Sequence, residues 1–319
     1  MKAIIVSQFG GPDVLQLGER ARPEAGSGEV LVRLDAVGIN PVETYIRSGT
    51  YNVKPSLPYT PGTDGAGVIE AVGKKIDRFK KGDRVYTSGS LTGTYAEFAL
   101  CVEADVHPLP AGLSFAQGAG LGVPYGAAYR ALIQRGGAKA GETVLVHGAS
   151  GSVGTAALQI ARFHGLRVLG TAGSEKGLAR VAEEGAEAFN HHTEEYLERI
   201  RKAAGEQGIN LILEMLANVN LEKDLELIAD HGRIVVIGTR GTIEIDPRRA
   251  LMRESDIRGM SLPHASSVEK KSLYAGIDAG LASGVLRPVV GRSFRLSEAA
   301  EAHRTVIEGG SGGKIVLTP

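Results

Sequence analysis

The segment with the clearest chemical pattern is a glycine-rich loop, GASGSVG, at residues 148–154. An apolar run, VLVHG (144–148), leads directly into it, and a stretch with helical periodicity follows. Glycines permit a tight turn and let backbone N–H groups approach a pyrophosphate, while the helix N-terminus adds unpaired donors and a positive dipole end. The spacing is G-x-x-G-x-x-G rather than the commoner G-x-G-x-x-G. We therefore expect a dinucleotide to bind here; the alternative is a glycine-rich turn without a ligand.

The end of the next apolar run indicates which dinucleotide binds. NAD sites usually place a carboxylate there to hold the ribose 2′-hydroxyl, but RVLGTAG (167–173) ends without one. Because a carboxylate would repel a 2′-phosphate, its absence favours NADPH. Lys176 could pair with the phosphate, or it could be a solvated helix residue. Glu175 could be the missing acid, or a favourable charge in the first turn of a helix.

The elements that must position this loop alternate regularly from about residue 121 onward. Short Val- and Ile-rich runs, which predict strands, alternate with 10–14-residue helical patterns, which is typical of βαβ units and a buried parallel sheet. One of these patterns predicts a helix over 221–232, followed by a strand over 233–238. DIRGMSL (256–262) predicts one more strand, and a helix is expected from about 268 to 283.

The first 120 residues have a different texture. Their apolar runs are short and are separated by Gly, Pro and charged turns, which predicts a compact β-rich domain with one short helix at 41–49. The last 30 residues return to this texture and are expected to rejoin the first domain. The predicted fold class is therefore α/β, with one domain formed by 1–122 and 288–319 and a cofactor domain formed by 123–287.

The composition narrows the function classes. The chain has 319 residues, with 36 basic and 36 acidic side chains, so no global field attracts nucleic acid or an anionic membrane. Its single cysteine, Cys101, allows neither an intramolecular disulfide nor a zinc site built from several cysteines. No apolar stretch is long enough to span a bilayer. A cytoplasmic protein is expected, without a membrane partner.

Taken together, the chain resembles the zinc-free quinone oxidoreductases of the medium-chain dehydrogenase/reductase superfamily, most closely the zeta-crystallin type. The resemblance implies a GroES-like catalytic domain and a Rossmann domain with a doubly wound parallel sheet. The segments that carry it are GINPVETYIRSGTY (38–51), LPYTPGTDGAGVIEAVG (57–73), FKKGDRV (79–85), VPYGAAYRAL (123–132), VLVHGASGSVG (144–154), EMLANVNL (214–221) and GTIEIDPR (241–248).

The resemblance also bears on metal content. In zinc-dependent relatives the first domain supplies Cys and His ligands, whereas this sequence has Asn40 and Thr63 at two apparently corresponding positions. An amide and a hydroxyl are poor zinc ligands. No metal is therefore expected, and Lewis-acid polarisation of an alcohol is not available. Hydride transfer without a metal suits an acceptor that is already electrophilic, such as a quinone or an enone.

The residues that the resemblance places at the site fall into two groups. Tyr45 is implied near the nicotinamide and substrate, and Tyr45 and Asn40 are the catalytic candidates; Tyr45 could also be a surface residue, and Asn40 could cap the short helix. His147 is expected to be a satisfied core histidine, and at most one of His191 and His192 is expected to touch cofactor. The implied cofactor residues, beside Tyr45, are Ser150, Gly151, Ser152, Val153, Gly154, Gly173, Lys176, His191, Asn220, Ile237, Gly238, Thr239, Arg240, Met260, Ser261 and Leu262.

The expected function is hydride or electron transfer from NADPH to quinones such as ortho-quinones. An NADPH-dependent alkenal or enone reductase is the alternative within the same chemistry. A structural, crystallin-like protein that binds NADPH or RNA is the alternative from another class, although the net charge gives RNA binding no support. DIRGMSL could form a sheet edge, and such edges invite pairing across a two-fold axis. The resemblance implies a homodimer, or a homotetramer built from dimers.

Overall fold

The computed structural model describes all residues from Met1 to Pro319. Its strands are β1 Lys2–Ile5, β2 Gln16–Glu19, β3 Glu29–Gly38, β4 Asp64–Val72, β5 Arg84–Thr87, β6 Phe98–Val102, β7 Val106–Pro108, β8 Thr143–Val146, β9 Arg167–Ala172, β10 Glu187–Asn190, β11 Ile209–Glu214, β12 Ile228–Val236, β13 Asp256–Gly259, β14 Val290–Arg295 and β15 Lys314–Thr318. Its α-helices are α1 Pro41–Ser48, α2 Phe115–Gly118, α3 Gly122–Tyr129, α4 Ser152–Phe163, α5 Glu175–Glu183, α6 Tyr196–Ala204, α7 Ala217–Leu227, α8 Pro247–Arg253, α9 Ser267–Ala282 and α10 Ala299–Glu308. No helix is long and apolar enough to cross a membrane.

The chain forms two compact units. One unit contains residues 1–123 and 288–319, and the other contains residues 124–287. The first unit is built around a seven-stranded sheet in which β3 pairs antiparallel with β4, β6 and β15. Its core is rich in Val, Ile and Leu from these strands, and runs of consecutive buried residues in β3 and β15 show that both faces of the sheet are covered there.

The C-terminal strand β15 belongs to this first sheet. It pairs antiparallel with β3, where Val316 lies opposite Gly38 and Leu317 lies opposite Val37. On its other side it pairs in parallel with β14. The return of the β-rich texture in the last 30 residues therefore has a structural counterpart, because β15 carries the chain end into the first unit.

The second unit is a parallel sheet with the order β10-β9-β8-β11-β12-β13. The chain runs outward from β8 to β10 and then in the opposite direction from β11 to β13, so the strand order reverses between β8 and β11. Ligands of open α/β sheets bind outside the carboxyl ends of the strands at such a reversal. The predicted doubly wound parallel sheet is confirmed.

One sequence-based assignment is wrong. The helix predicted over 221–232 ends at Leu227, and β12 begins at Ile228, which pairs with Ile209 of β11. The strand then contains an irregularity: His231 has a φ of 57°, and the register shifts between Ile209 and Leu211. Pairing with β11 outweighs the local helical periodicity, because it buries Ile228 completely.

Candidate cofactor and catalytic site

The glycine loop joins β8 to α4 in a conformation that two of its glycines make possible. Gly148 has a φ of +57°, in the left-handed region that favours glycine. A Cβ on Gly154 would lie 2.4 Å from the Gly148 carbonyl oxygen and 2.5 Å from Ala149 Cα. Since both neighbours are backbone atoms, no side chain could move aside to make room. The last glycine of the motif therefore lets helix and strand pack closely.

The first turn of α4 faces the position expected for a pyrophosphate. Gly151 is the N-cap residue, and Ser152 and Val153 begin the helix with N–H groups that have no acceptor within it. Ser152 does not have a positive φ, so a serine side chain fits where a glycine was not required. Backbone donors and the helix dipole at this point suit an anionic ligand.

Gly173 and the two histidines after β10 lie side by side. A Cβ on Gly173 would come within 2.7 Å of Nε2 of both His191 and His192. Both imidazoles are exposed. Burial of part of its ring and the neighbouring His192 lower the pKa of His191. The structure thus brings Gly173, after β9, close to the His191 imidazole, after β10.

The first turn of α5 carries Glu175 and Lys176, the two residues that the sequence predicts to bear on cofactor selectivity. Ser174 caps the helix, since its Oγ accepts a hydrogen bond of 3.1 Å from Gly177 N, as its position before the helix suggests. Glu175 and Lys176 follow, and both are exposed. No carboxylate occupies β9 itself, so the acid typical of NAD sites is not found at the strand end.

The remaining predicted cofactor residues follow β11, β12 and β13. Asn220 lies in α7, and the Ile237–Arg240 turn is held by a hydrogen bond of 2.9 Å from Arg240 N to Asn218 Oδ1. Met260 N donates a hydrogen bond of 2.9 Å to Val236 O. Met260–Leu262 therefore lie directly after β13, the last strand of the sheet. All of these residues therefore share the carboxyl edge of the sheet with the glycine loop.

A buried charged cluster lies at this edge and was missed by the sequence analysis except for His147. The His147 Nε2–H donates 2.8 Å to Asp224 Oδ1, and Glu214 Oε2 lies 3.6 Å from the same nitrogen. Burial alone would lower the pKa of His147, but the Asp224 and Glu214 carboxylates raise it overall. Burial and the nearby Asp224 raise the pKa of Glu214 to about 7. His147 is thus a satisfied core histidine, as expected.

In the first unit, Asn40 belongs to a buried polar network. Its side-chain oxygen accepts a hydrogen bond of 2.6 Å from Lys314 Nζ, and its Nδ2 donates one of 3.0 Å to Asp64 Oδ2. Lys314 also donates 2.8 Å to Asp64 Oδ2. Asn40 is the N-cap residue of α1, and its backbone N–H donates to Glu43 Oε2 at 2.9 Å. The alternative capping role therefore has direct support.

This network does not fit a zinc ion. Both polar ends of the Asn40 amide are already bonded, and the Lys314 ammonium, 2% exposed, lies within hydrogen-bond distance of Asn40 and Asp64. A second cation at this position would meet strong repulsion. Thr63 offers only a hydroxyl, which is a poor zinc ligand.

Two further buried groups extend the network. Tyr95 OH donates 2.6 Å to Glu43 Oε2 and lies 2.9 Å from His303 Nε2. Burial raises the pKa of Glu43 to about 7, while burial and the Arg47 charge lower the pKa of His303 to about 3. These residues are far apart in sequence, and no motif marked them as a group.

Tyr45, the other catalytic candidate, lies in α1 and is half-buried. Its carbonyl accepts hydrogen bonds from Thr50 N at 3.1 Å and Tyr51 N at 3.2 Å, so the helix end is fixed. Gly49 ends the helix in the left-handed region, with a φ of +78°. The phenol is thus carried by a short helix that is capped at both ends.

Comparison with known families agrees with this description. Residues 26–111 match the alcohol dehydrogenase GroES-like domain, and residues 152–275 match the family described as zinc-binding dehydrogenase. Human quinone oxidoreductase is 53% identical over 320 aligned residues, which cover 99% of this chain and 97% of the human protein.

Solved structures give the same result. Escherichia coli quinone oxidoreductase complexed with NADPH is 28% identical, with a TM-score of 0.90 and complete coverage of both chains. A structure described as an NAD-dependent alcohol dehydrogenase is 31% identical, with a TM-score of 0.91 and complete coverage of both chains. The chain belongs to the zeta-crystallin-type quinone oxidoreductases of the medium-chain dehydrogenase/reductase superfamily.

Proposed function

We propose that this protein is an NADPH-dependent quinone oxidoreductase. The observation that carries the proposal is the glycine loop at the strand-order reversal of the parallel sheet, where backbone N–H groups meet the N-terminus of α4. The 53% identity to human quinone oxidoreductase over nearly the whole chain supports the same activity. The Escherichia coli relative complexed with NADPH supports the choice of cofactor.

When bound, NADPH supplies the hydride; the protein's task is to hold and orient it and to exclude water. The end of the glycine loop and the first turn of α4 bind the pyrophosphate through Ser150–Gly154, and Gly173, Lys176 and His191 form the adenosine end of the site. Residues after β11, β12 and β13 complete the cofactor contacts. Tyr45 is proposed to orient the acceptor. Asn40, held in place by its buried network, is proposed to contact the same acceptor.

The buried polar network of the first unit supports a quinone as the hydride acceptor. Lys314, Asn40 and Asp64 satisfy one another, so the position expected for a Lewis acid in zinc-dependent relatives holds a fixed ammonium instead. A quinone carbonyl needs no metal to accept hydride. The proposed substrates are therefore quinones, ortho-quinones in particular.

The test is NADPH oxidation with 9,10-phenanthrenequinone and 1,2-naphthoquinone, followed at 25 °C with and without a metal chelator. We expect rates well above the uncatalysed background that the chelator does not change. A panel of alkenals and enones assayed in parallel ranks the acceptors by kcat/KM. A rate no higher than background with every quinone would refute the proposal.

We also propose that the protein assembles through β13. This strand is the outer strand of the six-stranded sheet and pairs only with β12 within the chain. Ile257, the one large apolar residue of β13, is 41% exposed, and an open edge strand can pair across a two-fold axis. Light scattering should give a dimer or tetramer. Ile257→Lys should shift the mass toward monomer, whereas Leu17→Lys on β2 should not.

The cytoplasm is the proposed compartment. Cys101, the single cysteine of the sequence, is buried, and burial raises the pKa of its thiol to about 12. Such a thiol is unreactive and forms no disulfide, so the fold does not need an oxidising compartment. Fractionation of cells that express a tagged chain should recover it with cytoplasmic markers.

A further inference from the structure

Glu214, the last residue of β11, is fully buried and bonded to the start of the next helix. Its Oε1 accepts a hydrogen bond from Leu216 N and another, of 3.2 Å, from Asn220 Nδ2. We propose that Glu214 is a positioning residue for the cofactor site, which holds Asn220 and the first turn of α7 in place. The inference rests on the proposed function, because it takes Asn220 to contact NADPH.

The start of α7 needs a hydrogen-bond acceptor from outside the helix. Leu216 is its N-cap residue and offers no side-chain acceptor, and the first turn contains no acidic residue. An uncapped helix start leaves backbone N–H groups unpaired, which is costly where water is excluded. The Glu214 carboxylate reaches over from β11, takes one of these N–H groups and places negative charge near the positive end of the helix dipole.

The same residue is also tied to neighbouring strands of the sheet. Its carbonyl oxygen accepts a hydrogen bond of 2.8 Å from Ile237 N, directly after β12. Its Oε2 faces His147 of the β8 end, which is bonded to Asp224. Glu214 therefore connects the glycine loop after β8, α7 after β11 and the Ile237–Arg240 turn after β12, and cofactor contacts are proposed at all three.

A divalent metal is the competing occupant of this cluster, because ligand atoms of His147, Glu214 and Asp224 lie within 4.8 Å of one another. Two observations favour a hydrogen-bonded cluster. His147 Nε2 and Asp224 Oδ1 are at hydrogen-bond distance, 2.8 Å, and Glu214 Oε1 is already occupied by two N–H donors. Glu214 Oε2 and Asp224 Oδ2 lack other partners, which suits two carboxyl groups that share a proton.

The test is a double-mutant cycle on NADPH affinity, measured by titration calorimetry of the full-length protein. We expect Glu214→Ala and Asn220→Ala each to weaken binding roughly tenfold, about 1.4 kcal/mol, and the double variant to bind no more weakly than Asn220→Ala alone. Glu214→Gln keeps an acceptor oxygen and should restore most of the affinity. Glu187→Gln, on the exposed face of β10, is the matched control and should bind as wild type.

A second measurement needs no cofactor. Hydrogen exchange at the Leu216 amide should be faster in Glu214→Ala and close to wild type in Glu214→Gln. If the alanine variant does not fold, Glu214→Asp takes its place, since a side chain shorter by one methylene withdraws the carboxylate from α7. If wild type fails to bind NADPH, the proposed function fails while the exchange result still decides the positioning role.

Three outcomes would overturn the inference. The effects of Glu214→Ala and Asn220→Ala could multiply independently, which would show that Glu214 does not act through Asn220. Either variant could bind NADPH as wild type. Titration with Zn²⁺ or Mn²⁺ alone could show stoichiometric binding that Glu214→Gln abolishes, which would make the cluster a metal site.

Discussion

The Lys314 ammonium donates a hydrogen bond of 2.6 Å to the Asn40 side-chain oxygen, although the two residues are 274 positions apart in the chain. The same ammonium pairs with Asp64 at 2.8 Å, and both charged groups are almost completely buried. Lysine only donates and carboxylates only accept, so these partners leave the Asn40 amide one possible orientation.

We predict that Lys314→Met destabilises the protein by about 3–5 kcal/mol, because it leaves the Asp64 charge buried without its partner. The double variant Asp64→Asn/Lys314→Met should recover part of this loss, since it removes both charges together. Urea unfolding followed by circular dichroism measures the free energies. A double variant less stable than Lys314→Met would contradict the buried-pair explanation.

His303 should make the fold sensitive to acid. Its pKa is lowered to about 3 in the folded protein by burial and by the Arg47 charge, against 6.5 for an ordinary histidine. Protons therefore bind the unfolded chain more readily, so the stability that His303 contributes is complete above about pH 6.5 and is lost as pH falls toward 3. The slope is at most about 1.4 kcal/mol per pH unit.

His303→Gln should reduce this loss between pH 6.5 and 5, with unfolding free energies measured at each pH. Glu43, whose pKa is raised to about 7 by burial, contributes the opposite slope and shares the Tyr95 hydroxyl with His303. The comparison is therefore repeated in a Glu43→Gln background, where the remaining difference belongs to His303. His231→Asn, at an exposed histidine, is the control and should leave the curve unchanged. Equal slopes in His303→Gln and wild type would disprove the assignment.

Gly154→Ala should weaken NADPH binding at least about tenfold. A methyl group there would overlap the Gly148 carbonyl oxygen at 2.4 Å, which forces the loop away from the pyrophosphate. Fluorescence titration with NADPH gives the affinity. Gly112→Ala, where a Cβ would meet nothing within 4 Å, is the control; equal affinities for both variants would refute the role of the loop.

Lys176→Met should weaken NADPH binding roughly three- to tenfold and leave NADH binding unchanged, because only the 2′-phosphate would lose a charged partner. Glu175→Gln should not weaken NADH binding if Glu175 serves only the helix dipole. Dissociation constants for both cofactors, measured for both variants, separate these roles. A loss of NADH affinity in Glu175→Gln would identify Glu175 as the ribose ligand.

The local features were readable from sequence because each depends on neighbouring residues. The glycine loop is set by a strand, a turn and a helix in direct succession, and the cap at Ser174 by a residue three positions away. The helix at 221–232 was wrong beyond Leu227 for the opposite reason. Its end is decided by pairing of Ile228 with Ile209, a contact that periodicity does not contain.

The sequence by itself determined the order of strands and helices, the anion-binding loop and the lack of cysteines for a zinc site. Only the tertiary structure decided which polar side chains share a buried position. Lys314 with Asn40, and Glu214 with His147, come together because strands distant along the chain lie side by side in a sheet. A buried charge must find its partner in space, and single-sequence patterns record neighbours along the chain.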